Sequence, residues 1–315
     1  MKKLFLKLLL LSLPVTIPAM VVALFPLPSN SSVLAIIDKH RRLKQTESPR
    51  LVLAGGSNLA YGIDSGRIQD ALNIPVINAG LNAGFGLGRI LDDLVSRLNS
   101  GDILLIAPEY DHFSSSWNGT EIALWNGDGT AYNLIFDAHQ YRLLVKPTVY
   151  GFPSGFLSYL QSRKKRVSDF KNNIFAKTPP IPNPLAQLRD GFNEYGDYVK
   201  HLTMENRELV SYEPIENIEA RYLARFFRLV DTFSKRGVTV LISYPSYEEA
   251  LFLASEPFIR ELDAAFRDRG VTVISSPEDF AFPWDCFYDT VYHLNAKGRE
   301  RRTSRLIRDL ARYVP

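Results

Sequence analysis

The chain is short of the residues that most often declare a chemistry. It holds one cysteine, Cys286, in 315 residues, so it can form no internal disulfide, no cysteine-based metal cluster and no dithiol redox pair. It also lacks an excess of either charge. Thirty-seven Lys and Arg stand against 34 Asp and Glu, a formal net charge of +3, which offers no basic face for nucleic acid as the main partner. Glu109, Asp111 and His112 fall at short, ligand-like spacing, but no second histidine cluster accompanies them, so no metal is expected. Gly84, Gly86 and Gly88 in GFGLG follow a loop rather than a strand, and the third glycine comes one residue early for a dinucleotide fingerprint. No cofactor is expected.

The N-terminus, by contrast, is rich in one thing. After Lys2, Lys3 and Lys7, an uncharged run extends from Leu8 to Leu27. Its twenty residues would span about 30 Å as a helix, the hydrocarbon thickness of a bilayer. Pro14 and Pro18 would kink such a helix without forbidding it in lipid. A cleaved signal peptide would read the same stretch with cleavage near Ala23; the length of the run and its extension toward Ile37 favour a retained anchor. The expectation is a membrane anchor over 1–37, a linker over 38–49, and a domain over 50–315 outside the cytoplasmic membrane. Basic residues on both flanks weaken the orientation signal.

From Arg50 onward, short apolar runs alternate with helical stretches, the pattern of a parallel sheet covered on both faces. Strands are expected over 50–55, 74–80, 102–108, 238–245 and 271–276. Helices are expected around 66–72, 87–98, 217–235 and 257–269, the last two stopping at Gly237 and Gly270, and a final helix follows Asn295. Arg299, Arg301, Arg302 and Arg305 read as its solvated side. Residues 111–214 break the rhythm. They are rich in Tyr, Phe, Pro, Gly and Asn, carry the run Arg163–Arg166, and read as an insertion that is either a lid or glycan-binding surface or a solvated decoration.

Four pieces fall at strand ends: GGSN (Gly55–Asn58), NAGLNAG (Asn78–Gly84), APEYDHF (Ala107–Phe113) and FYDTVYHLNAKG (Phe287–Gly298). In a parallel sheet such loops converge on one edge. A serine in a glycine-rich turn is ordinarily a turn residue or helix cap, and the company it keeps decides otherwise. A serine hydroxyl is a weak nucleophile that needs a base and a group to hold that base's tautomer. His293 and Asp289 supply both on one loop, and the backbone N–H groups of Ser57 and Gly80 are candidate oxyanion donors. His40, His139 and His201 have no evident chemical company.

With these residues in hand, the sequence resembles the SGNH hydrolases, the GDSL-type lipases and esterases. Gly55-Gly56-Ser57-Asn58 matches their first block, Gly80 their second, and Asp289 with His293 their last. The resemblance covers roughly Arg50 to the C-terminus, apart from most of the insertion. It implies a flavodoxin-like three-layer α/β/α sandwich and an acyl-serine mechanism with Ser57, His293 and Asp289. The anchored layout looks like extracytoplasmic members that add or remove acyl esters on envelope polymers, among them the alginate acetylation proteins and the D-alanyl transfer protein of teichoic-acid pathways. That implies an acylated glycan or glycolipid as substrate. The sequence departs from the family at three places. Gly56 replaces an aspartate, Glu109 replaces the asparagine of the third block, and Asp289 and His293 have three residues between them instead of two. Asn58, Asn82 or a protonated Glu109 is expected to stand in as donor or substrate ligand. The alternative is an inactive glycan-binding or assembly protein partnering a membrane acyltransferase.

Overall fold

A computed structural model describes Lys7, residues 35–119 and residues 189–314. The apolar run Leu8–Leu27, His139, Arg163–Arg166 and the middle of the expected insertion lie outside the described residues. Among the described residues, no helix is long and apolar enough to cross a membrane.

The five expected apolar runs become strands, each trimmed by its flanking turn: β1 (Leu51–Gly55), β2 (Val76–Asn78), β3 (Ile103–Ala107), β4 (Thr239–Ile242) and β6 (Thr272–Val273). Two further strands that were not expected are β5 (Tyr247–Glu248) and β7 (Ala281–Phe282). Five of them form one parallel sheet in the order β2-β1-β3-β4-β6, while β5 and β7 pair separately. Every residue of β1, β2 and β3 is buried, which is why β1 and β3 read as unbroken apolar runs rather than as alternation; β2 ends in the buried Asn78. Each fully buried Leu, Ile or Val there contributes about 1.5–3 kcal/mol.

Helices are α1 (Ala35–Gln45), α2 (Ser57–Gly62), α3 (Ser65–Leu72), α4 (Leu87–Val95), α5 (Ala220–Lys235), α6 (Glu249–Ala254), α7 (Glu256–Asp268) and α8 (Ala296–Leu310). α8 packs on α2 and α3, while α4 packs on α5. Phe226 of α5 meets Phe266 of α7 at 5.3 Å between ring centres. Asn295 caps α8 through its side chain, which accepts from the Gly298 N–H at 3.1 Å, and Gly237 and Gly270 take the left-handed conformation that ends α5 and α7.

Two expectations change. Residues 38–49 are no free linker: most of them belong to α1, which packs against β2 and buries Ala35, Ile36, Lys39 and Leu43. The arginines of α8 are not all solvated. Arg302 is fully buried, because it lies four and eight residues before Leu306 and Leu310 and so shares their inward face.

The strand order reverses between β1 and β3, and such a reversal opens a crevice at the carboxyl ends of the two strands. Gly55 and Ala107 are register partners, so the two strands end flush and their following residues leave the sheet side by side.

Candidate functional site

Ser57 leaves β1 after Gly56 and opens α2; Glu109 leaves β3 after Pro108 and caps the 3-10 turn Tyr110–Phe113. Glu109 turns back across the crevice. Its Oε1 accepts from the Ser57 hydroxyl at 3.1 Å, from the Asn58 backbone N–H at 2.9 Å and from Asn58 Nδ2 at 3.4 Å. A Cβ at position 56 would overlap Glu109 Oε1, so this placement of Glu109 requires glycine at 56. Two of the sequence's departures are thus one structural feature: a carboxylate has moved into space that only glycine leaves open.

Burial holds the Glu109 carboxyl above its ordinary range, and the Asp111 carboxylate adds to this. His112, the Asn58 N–H and His293 pull the other way. His112 ties this turn together. Its Nδ1 accepts from the Glu109 N–H at 3.1 Å, and its Nε2 reaches the Ala83 carbonyl at 3.4 Å.

On the opposite loop, His293 Nδ1 bonds Asp289 Oδ1 at 2.7 Å. The extra residue between them is absorbed by a turn closed on Thr290, whose Oγ1 accepts the N–H groups of Tyr292 and His293 at 3.3 and 3.2 Å. The imidazole lies flat on Tyr61, with ring centres 3.9 Å apart and planes 5° from parallel. Tyr61 sits one turn after Ser57 on α2, so serine and imidazole are referred to the same short helix. Tyr198 and His201 pack on Tyr61 with tilted rings, their centres 4.7 and 4.6 Å away. His201 bonds the Leu294 carbonyl at 2.8 Å, and burial lowers its proton affinity to about 4, so it is neutral at pH 7. The strap that follows donates backbone N–H groups to the carbonyls of Tyr288 and Asp289 from Arg207 and Val210, at 2.6 and 2.9 Å.

The remaining expected residues divide. Asn58 is at the centre, fully buried. Gly80 is not presented as a donor: its N–H is given to Asn78 Oδ1 at 2.9 Å, and it is glycine because Leu59 and Ala60 of α2 press on it. Asn82 caps the 3-10 turn Ala83–Phe85 by accepting from the Gly84 N–H at 2.8 Å. The Ser57 hydroxyl rests on Glu109 and makes no hydrogen bond to His293 among the described residues.

Two participants escaped the sequence. Tyr61 was signalled by its i+4 spacing from Ser57, and Arg302 by its spacing from Leu306 and Leu310. Arg302 donates to both oxygens of Asn58, to the backbone carbonyl at 2.8 Å and to Oδ1 at 2.9 Å, and also to the Tyr244 carbonyl at 3.1 Å. Burial lowers its guanidinium to about 9, and the carboxylate opposing that effect is Glu109, across the Asn58 amide. Among the described residues, no group of three or more His, Cys, Asp and Glu side chains could hold a metal ion.

The site thus holds the Ser57 hydroxyl, a histidine held by an aspartate, and amide donors backed by a buried cation. No protein-family model and no curated protein matches the chain.

Proposed function

We propose that this chain is a serine-dependent esterase or O-acyltransferase of the SGNH type, acting on acyl esters of an extracytoplasmic glycan or glycolipid. The observation that carries the reading is the Tyr61 stack: it refers the Asp289–His293 pair to the helix that opens with Ser57. The strand order and the position of Ser57 at the β1/β3 crevice support the flavodoxin-like, three-layer form of the fold.

In this reading the Ser57 hydroxyl swings about its Cα–Cβ bond from Glu109 toward His293, a hop between staggered wells. Its oxygen attacks the ester carbonyl carbon while the imidazole takes its proton, and Asp289 holds the tautomer that leaves the far nitrogen free. The tetrahedral oxyanion faces the Asn58 donors. Collapse expels the alcohol, which takes the proton back from His293, and leaves an acyl-serine. Water completes hydrolysis; a sugar hydroxyl completes transfer. The apolar N-terminal run suits an anchor that holds the domain at the outer face of the cytoplasmic membrane, where acylated envelope polymers lie.

Incubating the full-length chain with a fluorophosphonate probe tests the nucleophile. Labelling is expected, and its persistence in Ser57→Ala rules Ser57 out. One observation favours a second reading, in which the chain binds or presents glycan without turnover: Glu109 fills the position an oxyanion would need. Turnover of a small acetyl ester, lost in both Ser57→Ala and His293→Ala, excludes that version.

A further inference from the structure

Three donors converge on a single oxygen beside Ser57, and that oxygen belongs to the protein. Glu109 Oε1 collects the Ser57 hydroxyl, the Asn58 N–H and, at 3.4 Å, Asn58 Nδ2, which also donates to the Ala107 carbonyl at 3.2 Å. Asn58 cannot turn its amide away, because Arg302 grips its carbonyl and its Oδ1 together, and a guanidinium offers only donors. The flipped amide would aim NH2 at a cation and an oxygen at a carboxylate. Arg302 itself forms no direct ion pair among the described residues, although it is fully buried in α8. A buried cation left so is costly unless negative charge sits nearby, and here that charge is Glu109.

We propose that Arg302 is a positioning residue of this reaction centre. By gripping both oxygens of Asn58 it aims the Asn58 donors at one point, and Glu109 Oε1 is the resting occupant that the substrate's ester oxygen displaces. The inference rests on the reading of Ser57 as nucleophile and deepens it.

The exchange has a catalytic logic. A neutral ester carbonyl competes poorly for donors that hold a carboxylate, whereas a tetrahedral oxyanion restores the charge Arg302 requires. The swap therefore favours the transition state over the bound ester. It also makes the resting site self-blocking while Glu109 is ionised. The groups that act on Glu109 are Asp111 and His112 on its own turn, His293 on the opposite loop and Arg302 on α8, with the phenols of Tyr212 and Tyr292 beside it. Protonating Glu109 weakens its hold on the three donors and frees the point.

The test uses the full-length chain and measures the second-order rate of fluorophosphonate labelling from pH 5 to 9, with circular dichroism to verify folding. Glu109→Gln carries a neutral occupant. It is expected to label at least about tenfold faster than wild type at pH 8, and the ratio of the two rates should shrink toward one as the pH falls. Arg302→Met is expected to lose at least about tenfold in labelling, and Arg302→Lys to recover part of it. Glu109→Gln that is folded and slower than or equal to wild type at every pH overturns the resting-occupant claim; a slower rate assigns Glu109 as the direct base. Folded Arg302→Met at the wild-type rate overturns the positioning claim, and if Arg302→Met does not fold, Arg302→Lys decides it: a rate equal to wild type overturns the claim. Labelling that survives Ser57→Ala is a different failure, since it removes the nucleophile reading beneath.

Discussion

Among the described residues two histidine–aspartate pairs have nearly the same length, one made through Nδ1 and the other through Nε2. His293 meets Asp289 at 2.7 Å, and His40 of α1 meets Asp93 of α4 at 2.6 Å, each pair largely shielded from water. Their surroundings differ. Asp93 also receives the Arg97 guanidinium at 3.0 Å; burial alone would raise its carboxyl, and the bonds from His40 and Arg97 lower it instead. That pair staples two helices beside a surface cavity of about 430 Å³ lined by Ile37, Lys44 and Ser96. Asp289 serves one imidazole, and that imidazole is stacked on the helix of a buried serine. A histidine held by an aspartate is therefore not a site; what stands across from its free nitrogen decides.

The largest expected effect separates the two pairs. His293→Ala should lower esterase or labelling rates by about a thousandfold or more, whereas His40→Ala should leave the rate within about twofold. Parallel labelling of both variants checks this, and a large loss in His40→Ala breaks the comparison. Asp289→Asn should approach the His293→Ala loss, because the wrong tautomer is then favoured, while Asp93→Asn should not alter the rate.

A third histidine sharpens the contrast through pH. His201 has its proton affinity lowered from 6.5 to about 4, so the unfolded chain binds the proton more readily. The stability this contributes is full above pH 6.5 and is lost as the pH falls toward 4, by about 3 kcal/mol at most. Melting curves of wild type and His201→Gln should converge at acid pH. Glu109 has the opposite sign: its affinity is raised, so the folded state gains relative stability as the pH falls through that raised value.

Next comes the coupled pair at the crevice. Gly56→Ala should cost about 1–3 kcal/mol, since its Cβ meets the Glu109 carboxylate, and much of that loss should vanish in a Gly56→Ala, Glu109→Ala double variant. Additive losses in denaturant melts would contradict the coupling. The smallest effect on the rate is expected of His40→Ala, whose lost bond to a charged partner costs stability instead, about 1.5–3 kcal/mol in denaturant melts.

Much of this was readable from the chain. β1 and β3 announce themselves because a strand buried on both faces must be apolar throughout, and the ends of α5, α7 and α8 because glycine and asparagine resolve helix termini in ways few residues can. The serine block and the Asp289–His293 pair were legible as chemistry. α2 was not: its six residues are all buried, Ser57 and Asn58 included, so it shows no amphipathic period. The strands β5 and β7 are two residues each, too short to make a pattern.

By itself the sequence determined which segments become buried strands and capped helices, because those depend on local periodicity and backbone preference. It also supplied the hydroxyl, the imidazole and the carboxylates. Only the tertiary structure decided that one arginine of a charged helix turns inward to grip Asn58, and that Glu109 occupies the point in front of Ser57. Those outcomes depend on which donors and charges meet across the crevice, and residues 52 to 244 positions apart in the chain set them.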